Sequence, residues 1–199
     1  MSRISEKQHI NDVWIKMKAG DDKALATLFT LFYAALYHYG MKMFNISDLV
    51  KDSIHDVFLR IWERRQTLGE VQNPKAYLIA SLRRKLLQNK SIYITGEIDE
   101  YKTNNIVQPF SFDSAEFIEM AEVSQQLRAE LSFALNNLPE KQRKVVYLRF
   151  YCDLKYREIA EVMEVKEQTV KNLMFRTMQA LSDKMDPQLW ESIDYVDPY

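Results

Sequence analysis

Between residues 22 and 40, apolar side chains return at steps of three and four: Leu25, Leu28, Phe29, Phe32, Leu36 and Tyr37. Side chains so spaced overlie one another on one face of an α-helix, so an amphipathic helix is predicted here. A second is predicted at about 48–66, where Val50, Ile54, Val57, Phe58, Ile61 and Trp62 share a face. A third begins near Asn73, which can cap the free N–H groups, and Pro74 follows at the first helical position, where its missing donor costs nothing. It runs to about Asn89. Three apolar faces suffice for one bundle.

From Ser91 to about Glu119 the periodicity fails: Gly96, Pro109, scattered Ile and Tyr, and acidic residues replace it, which reads as a linker. Helical spacing returns at about 120–136, at 139–150 after Leu138-Pro139, at 156–163 and at 167–184. Pro187 then blocks further helix, and the tail carries Trp190, Tyr195 and Tyr199 among acids. The expected fold is all-α: two small helical domains, 1–90 and 123–185, joined by a flexible acidic linker, 91–122, with an acidic aromatic tail, 186–199. No internal repeat is visible.

Composition supports that class. Among 199 residues, 47% are hydrophobic but only four are glycine and five proline, which supplies core while leaving little of the turn chemistry that β-rich folds use. The single Cys152 can form no intramolecular disulfide and has no CxxC or HxH spacing beside it, so neither an oxidised framework nor a metal site is expected. The N-terminus is polar, and no run approaches the roughly 18 apolar residues of a membrane span. No basic-then-apolar leader precedes the first helix, so a soluble protein of the reducing cytoplasm, without membrane insertion, is expected.

The net charge of −1 conceals opposite blocks. Residues 1–90 carry +6, residues 91–122 carry −6, residues 139–185 carry +3 and the last fourteen residues carry −4. Two basic segments are therefore separated by an acidic one, a pattern that suits contact with nucleic acid at two places.

The second basic segment holds a specific pattern. In Y156-R-E-I-A-E-V-M-E-V-K-E-Q-T-V-K-N-L-M174, Ala160 lies on a short helix, Val165 in a turn and Val170 on a longer helix. A small residue lets two helices cross closely while the valines fill the wedge between them, as a DNA-reading helix-turn-helix requires. The second helix has an inner stripe of Val170, Leu173, Met174, Thr177 and Leu181. Outward it offers Lys166, Gln168, Thr169, Lys171, Asn172, Phe175 and Arg176, amides suited to adenine and cations suited to guanine or phosphate. A plain antiparallel hairpin with a solvated polar face has the same periodicity. Glu164 stands where such motifs commonly place Gly, since a positive φ is cheap only without a Cβ.

Read together, L138-P-E-K-Q-R-K-V-V-Y-L-R-F-Y-C-D-L-K-Y-R-E-I-A and T169-V-K resemble the fourth-domain signature of extracytoplasmic-function (ECF) sigma factors of the sigma-70 family. The front half is similar too: A24-L-A-T-L-F-T-L-F-Y-A-A-L-Y37 and D52-S-I-H-D-V-F-L-R-I-W62 resemble the second-domain helices, in the family's order. The resemblance implies a subunit that directs RNA polymerase to promoters. One domain would clamp onto core polymerase and melt the minus-ten element, and the other would read the minus-thirty-five element. An inhibitory anti-sigma factor is a further class of partner the family brings with it.

By family position, Asp52, His55, Asp56, Leu59 and Arg60 fall to the core-polymerase contact. On the helix at 48–66, Asp52, Asp56, Leu59 and Glu63 lie opposite the apolar stripe, and an apolar Leu59 among acids suits a docking face as well as a solvated one. Asn73, Lys75, Tyr77, Arg83, Arg84 and Lys85 fall to the melted minus-ten strand, where cations neutralise phosphates and aromatics or pockets accept unstacked bases. The loop from Gln66 to Asn73 would receive a flipped base of the nontemplate strand. Tyr77 shares helical spacing with Leu78 and Leu82 and suits core packing equally. The family often has Asn where Arg84 stands and basic residues where Leu173 and Met178 stand, so the second domain would rest on fewer phosphate contacts or read a different sequence. The acidic linker would thread toward the active centre and the RNA exit path, or serve only as a solvated tether.

Two other classes were weighed. An enzyme is disfavoured: His9, His38 and His55 are dispersed, there is no Gly-rich phosphate loop, and no nucleophile motif accompanies Cys152, so neither catalysis nor a cofactor is expected. An autonomous helix-turn-helix regulator remains the alternative, since the motif alone does not require polymerase.

Overall fold

In the computed structural model, residues 3–95, 110–112, 125–185 and 187 are described; the acids of the expected linker from Glu97 to Glu122, and nearly all of the tail, lie outside them. Every regular element among the described residues is helical, and the chain divides into two compact units, residues 1–108 with 161–164 and residues 109–160 with 165–199.

The first unit is built from α1 (Arg3–Lys18), α2 (Asp22–Met43), α3 (Ser47–Glu63) and α4 (Pro74–Thr95). α2 begins because the Asp21 carboxylate accepts the Lys23 and Ala24 N–H groups at 2.9 and 3.2 Å, satisfying two orphan donors of the first turn. α4 begins as the sequence predicts. Asn73 Oδ1 accepts from the Lys75 and Ala76 N–H groups at 3.1 and 3.3 Å, and Pro74 occupies the first helical position. The helix extends beyond Asn89 to Thr95.

The core of this unit lies between the α3 stripe of Leu49, Val50, Ile54, Val57, Phe58 and Ile61 and the α4 residues Leu78, Ile79, Leu82 and Leu86. α2 contributes Leu28, Phe32, Leu36, Tyr39 and Met43, while Leu25, Phe29 and Tyr37 sit at the shoulder of the helix, half-buried. α1 adds Val13, Trp14 and Met17, all buried, so the polar N-terminal segment completes the bundle. α2 and α3 approach closely at Gly40. A Cβ there would lie 2.6 Å from Val50 Cγ1, so the glycine is what permits the crossing. Asn89 Nδ2 donates to the buried Ser53 Oγ at 3.3 Å, joining α3 to α4 by a polar contact within the apolar seam.

The second unit comprises α5 (Gln125–Asn136), α6 (Glu140–Val146) continued by a π-helical turn (Tyr147–Tyr151), α7 (Tyr156–Met163) and α8 (Glu167–Ser182). Leu135, Val145, Leu148, Ile159, Val170 and Met174 lie in its core. The wider π turn, closed by the Cys152 N–H on the Tyr147 carbonyl at 3.1 Å, brings Tyr147 and Tyr151 into a stack with ring centroids 5.1 Å apart. Phe110 and Phe112, from the stretch read as linker, are buried beside these rings, with Phe110 5.2 Å from Tyr147. Asn136 holds them there: its side chain accepts the Phe112 N–H at 2.8 Å and donates to the Phe112 carbonyl at 2.9 Å, copying the two-way pairing of a backbone ladder.

Candidate functional site

Three surfaces carry the chemistry. On α3, Asp52, His55, Asp56, Leu59 and Arg60 are all exposed on the face opposite the buried stripe, and Leu59 is 57% exposed. The His55 ring lies 5.4 Å from Phe29 of α2, and Asp56 Oδ2 meets Lys85 Nζ at 2.8 Å. Two residues assigned by resemblance to different partners, Asp56 to polymerase and Lys85 to DNA, are thus joined in one ion pair on neighbouring helices.

On α4 the assigned residues divide. Arg84 is exposed, whereas Lys75, Arg83 and Lys85 are half-buried, the partial burial that lets long cationic side chains lay their stems on apolar surface while the heads reach water. Tyr77 packs edge-on against the buried Trp14 at 5.7 Å and is itself half-buried, so much of its ring serves the bundle. Asn73 spends its side-chain oxygen on the α4 cap.

The loop before α4 is held at its start by α3 and at its end by Asn73. Thr67 and Leu68 N–H groups both donate to the Arg64 carbonyl, at 2.8 and 3.0 Å. Arg65 donates to the Trp62 carbonyl at 2.8 Å and lays its guanidinium over the Trp62 ring at 4.2 Å. Into the middle of the loop reaches Lys18, the last residue of α1, whose Nζ donates to the Leu68 and Gly69 carbonyls at 2.8 and 3.2 Å. Sequence reasoning passed over this lysine because α1 itself had not been recognised.

The third surface is the helix-turn-helix of α7 and α8. Glu164 has φ 57°, and the Val165 N–H donates to the Ala160 carbonyl at 3.0 Å. A left-handed residue just past the helix end, followed by an N–H that reaches back to the fourth carbonyl from the end, is the Schellman cap usually made by glycine. Glu164 therefore occupies the position where the sequence raised the question of a positive φ, and the turn type is the ordinary one. Val165 does not fill the wedge between the helices: it is 36% exposed, because its backbone is committed to the cap, and Val170 fills the space instead. Of the inner stripe, Val170, Met174, Thr177 and Leu181 are buried and Leu173 is half-exposed, its carbonyl accepting Thr177 Oγ1 at 2.7 Å.

The outer face of α8 presents Lys166, Gln168, Thr169, Asn172, Phe175 and Arg176, all exposed, with Phe175 at 62%. Gln168 Nε2 donates to Asn172 Oδ1 at 3.1 Å, and Lys171, half-buried, pairs with Glu167 at 3.2 Å. This is an amide-bearing ridge flanked by cations, with one aromatic, on a helix of 16 residues, a length and chemistry suited to a major groove. Among the described residues no group of His, Cys, Asp and Glu is arranged to hold a metal ion, and no helix is long and apolar enough to cross a membrane.

Comparison with known proteins agrees with this geometry. Residues 128–181, from α5 through α8, match the family model described as Sigma-70, region 4. The chain is 25% identical over 150 residues to the RNA polymerase sigma factor SigV of Bacillus subtilis, covering 75% of this chain and 81% of that protein. It is 23% identical over 186 residues to the ECF RNA polymerase sigma-E factor of Salmonella typhimurium, covering 86% and 92%. The fold is similar to that of CnrH, solved with the cytosolic domain of CnrY, at a TM-score of 0.53 and 17% identity over 86% of this chain and 94% of that one. It is similar also to the sigma factor RpoE of Bartonella quintana, solved with the anti-sigma factor NepR, at 0.52 and 18% over 87% and 99%. Residues 128–181 are thus similar to sigma-70 region 4. The chain as a whole is similar to sigma factors of the extracytoplasmic-function type.

Proposed function

We propose that the chain binds core RNA polymerase and directs it to a class of promoters, docking through the outer face of α3, engaging the melted minus-ten strand through α4 and the loop before it, and reading the minus-thirty-five element through α8. The observation that carries this reading is the outer face of α8, where Gln168, Asn172 and Arg176 stand exposed on the second helix of a region 4 fold. Supporting it in the first unit, the α3 face sets an exposed Leu59 between acids and Arg60, a surface with an apolar centre and a polar rim of the kind that protein partners cover. In this scheme the chain performs no chemistry of its own; the polymerase does, and the site of action is the cytoplasm. An anti-sigma factor is a further partner of this reading, supported by the Bartonella neighbour solved with one.

In this reading polymerase and minus-ten binding belong to residues 1–90, and minus-thirty-five binding to residues 123–185. The reading is tested by transcription from a candidate promoter with purified core polymerase, with and without the chain. Promoter-specific transcripts that require the chain are expected. Tight, polymerase-independent binding of the chain to duplex DNA, with no dependence of transcription on it, would instead favour the autonomous regulator.

A further inference from the structure

We propose that Lys18 is a positioning residue for promoter melting: its ammonium, hydrogen-bonded to the Leu68 and Gly69 carbonyls, holds the loop before α4 in the shape that receives an unstacked base. This rests on the reading of that loop as the acceptor of a flipped nontemplate base.

The loop has little else to hold its centre. Its first residues turn on the Arg64 carbonyl and its last is tied down by the Asn73 cap, but between them Gly69, Glu70 and Gln72 are exposed, with only Leu68 and Val71 half-buried. Among the described residues, the hydrogen bonds that reach the middle of the loop from another element come from Lys18. One ammonium serving two consecutive carbonyls fixes both peptide planes, a charge-assisted contact stronger than a neutral one. Nor does backbone geometry impose the shape. Gly69 does not have a positive φ, and a Cβ built on it meets nothing within 4 Å, so neither strain nor packing at that residue dictates the conformation.

The anchor itself is firm. Lys18 is half-buried and closes α1, whose Val13, Trp14 and Met17 lie in the core, so the ammonium is carried on a rigid element. The same two bonds turn the carbonyls of Leu68 and Gly69 toward the end of α1. A preformed acceptor avoids the cost of ordering the loop when a base arrives, and binding the unstacked base more strongly than the stacked one is what shifts a duplex toward melting.

The test uses holoenzyme assembled with the full chain, and nontemplate minus-ten oligonucleotides that carry either the flipped base or an abasic site in its place. Lys18→Met keeps the stem and removes the charge; Lys18→Arg keeps a charged donor. Wild type is expected to prefer the base-bearing strand, and Lys18→Met to lose roughly tenfold on that strand while binding the abasic strand as wild type does, with Lys18→Arg recovering part of the loss. An equal loss on both strands would mean that Lys18 contributes only charge or general stability, and would overturn the proposal. So would an unchanged preference in a folded Lys18→Met variant with unaltered affinity for core polymerase. Indifference of wild type itself to the abasic site would remove the base-acceptor reading of the loop, an outcome distinguishable from failure of the lysine's role.

Discussion

Gln168 and Asn172 are hydrogen-bonded to each other along the exposed ridge of α8, Nε2 to Oδ1 at 3.1 Å. The bond uses neither the Asn172 amide hydrogens nor the Gln168 side-chain carbonyl, a donor and an acceptor on two exposed, linked residues. Adenine presents an acceptor and a donor on its major-groove edge, so the pair is preset to complement it.

Asn172→Ala is therefore expected to change the preferred minus-thirty-five sequence at a cost of about 1–3 kcal/mol for the best site. Gln168→Ala should shift the same base position, and the double variant should lose less than the sum, because either change alone disorders the other amide. Arg176→Ala should weaken all sequences evenly and lower the salt slope. Site selection from a randomised duplex pool by holoenzyme checks all three; identical selected sites for wild type and Asn172→Ala would defeat the readout assignment.

Leu59 is the apolar centre of the α3 face. Leu59→Arg should weaken assembly with core polymerase by at least tenfold, since a charge would be forced into a desolvated contact. Thermal stability of the free chain should hardly change, because the side chain is already in water. Titration of labelled core polymerase against both chains makes the comparison.

Glu164 pays for its left-handed backbone. Glu164→Gly should be more stable than Glu164→Ala by about 1 kcal/mol, a few degrees in melting temperature, because both lose the carboxylate and only alanine keeps a Cβ at this φ. Glu164→Val should fall below Glu164→Ala, a β-branched residue being the worst tenant of that conformation.

At the first turn of α6, a hydrogen bond from Lys144, helped by the Lys144 and Arg143 charges and opposed by partial burial, lowers the Glu140 pKa below the ordinary carboxylate range. A carboxylate whose folded pKa is depressed contributes stability above its unfolded pKa and loses it as pH falls through the folded value. Glu140→Gln should therefore flatten the acid limb of the stability curve below about pH 4.5 while costing less than about 1 kcal/mol at neutral pH, because the carboxylate is half exposed and its pair is screened. Parallel pH titrations of unfolding for both chains read the difference.

Much of this architecture is legible in periodicity. The helices at 48–66, 156–163 and 167–184 and the Asn73-Pro74 start follow from spacing and capping chemistry, and α3, α7 and α8 stand where those signals put them, whereas a glutamate in a position that favours glycine leaves the turn type open, and its φ of 57° settles it. What escaped did so for physical reasons. Val13, Trp14 and Met17 have helical spacing, but the polar residues between them dilute the signal, so α1 and with it Lys18 went unrecognised. The buried stripe of α2 drifts from Ala24 through Leu36 to Met43, so Leu25, Phe29 and Tyr37, equally apolar, fall at its margin. Phe110 and Phe112 are core residues with no helical frame, and the backbone of Phe112 is paired by the side chains of Asn136 and Ser132, 24 and 20 residues away. No local pattern announces such a partner. The exposed faces were likewise readable as faces, whereas the Gln168–Asn172 and Asp56–Lys85 pairings required coordinates.

The contact at Gly40 makes two positions hostage to each other. A helix interior ordinarily welcomes Gly→Ala by up to about 1 kcal/mol, but here the new methyl would meet Val50 Cγ1 at 2.6 Å, and overpacking costs about 1–3 kcal/mol. Gly40→Ala alone should be destabilising and Val50→Ala alone should leave a void, yet together the methyl gained at 40 takes part of the space of the two methyls lost at 50 and the helix-propensity gain is recovered. A scan of single substitutions would score residue 40 as immutable, while a library varying 40 and 50 jointly would not, so the order in which the changes arise decides which are open to selection.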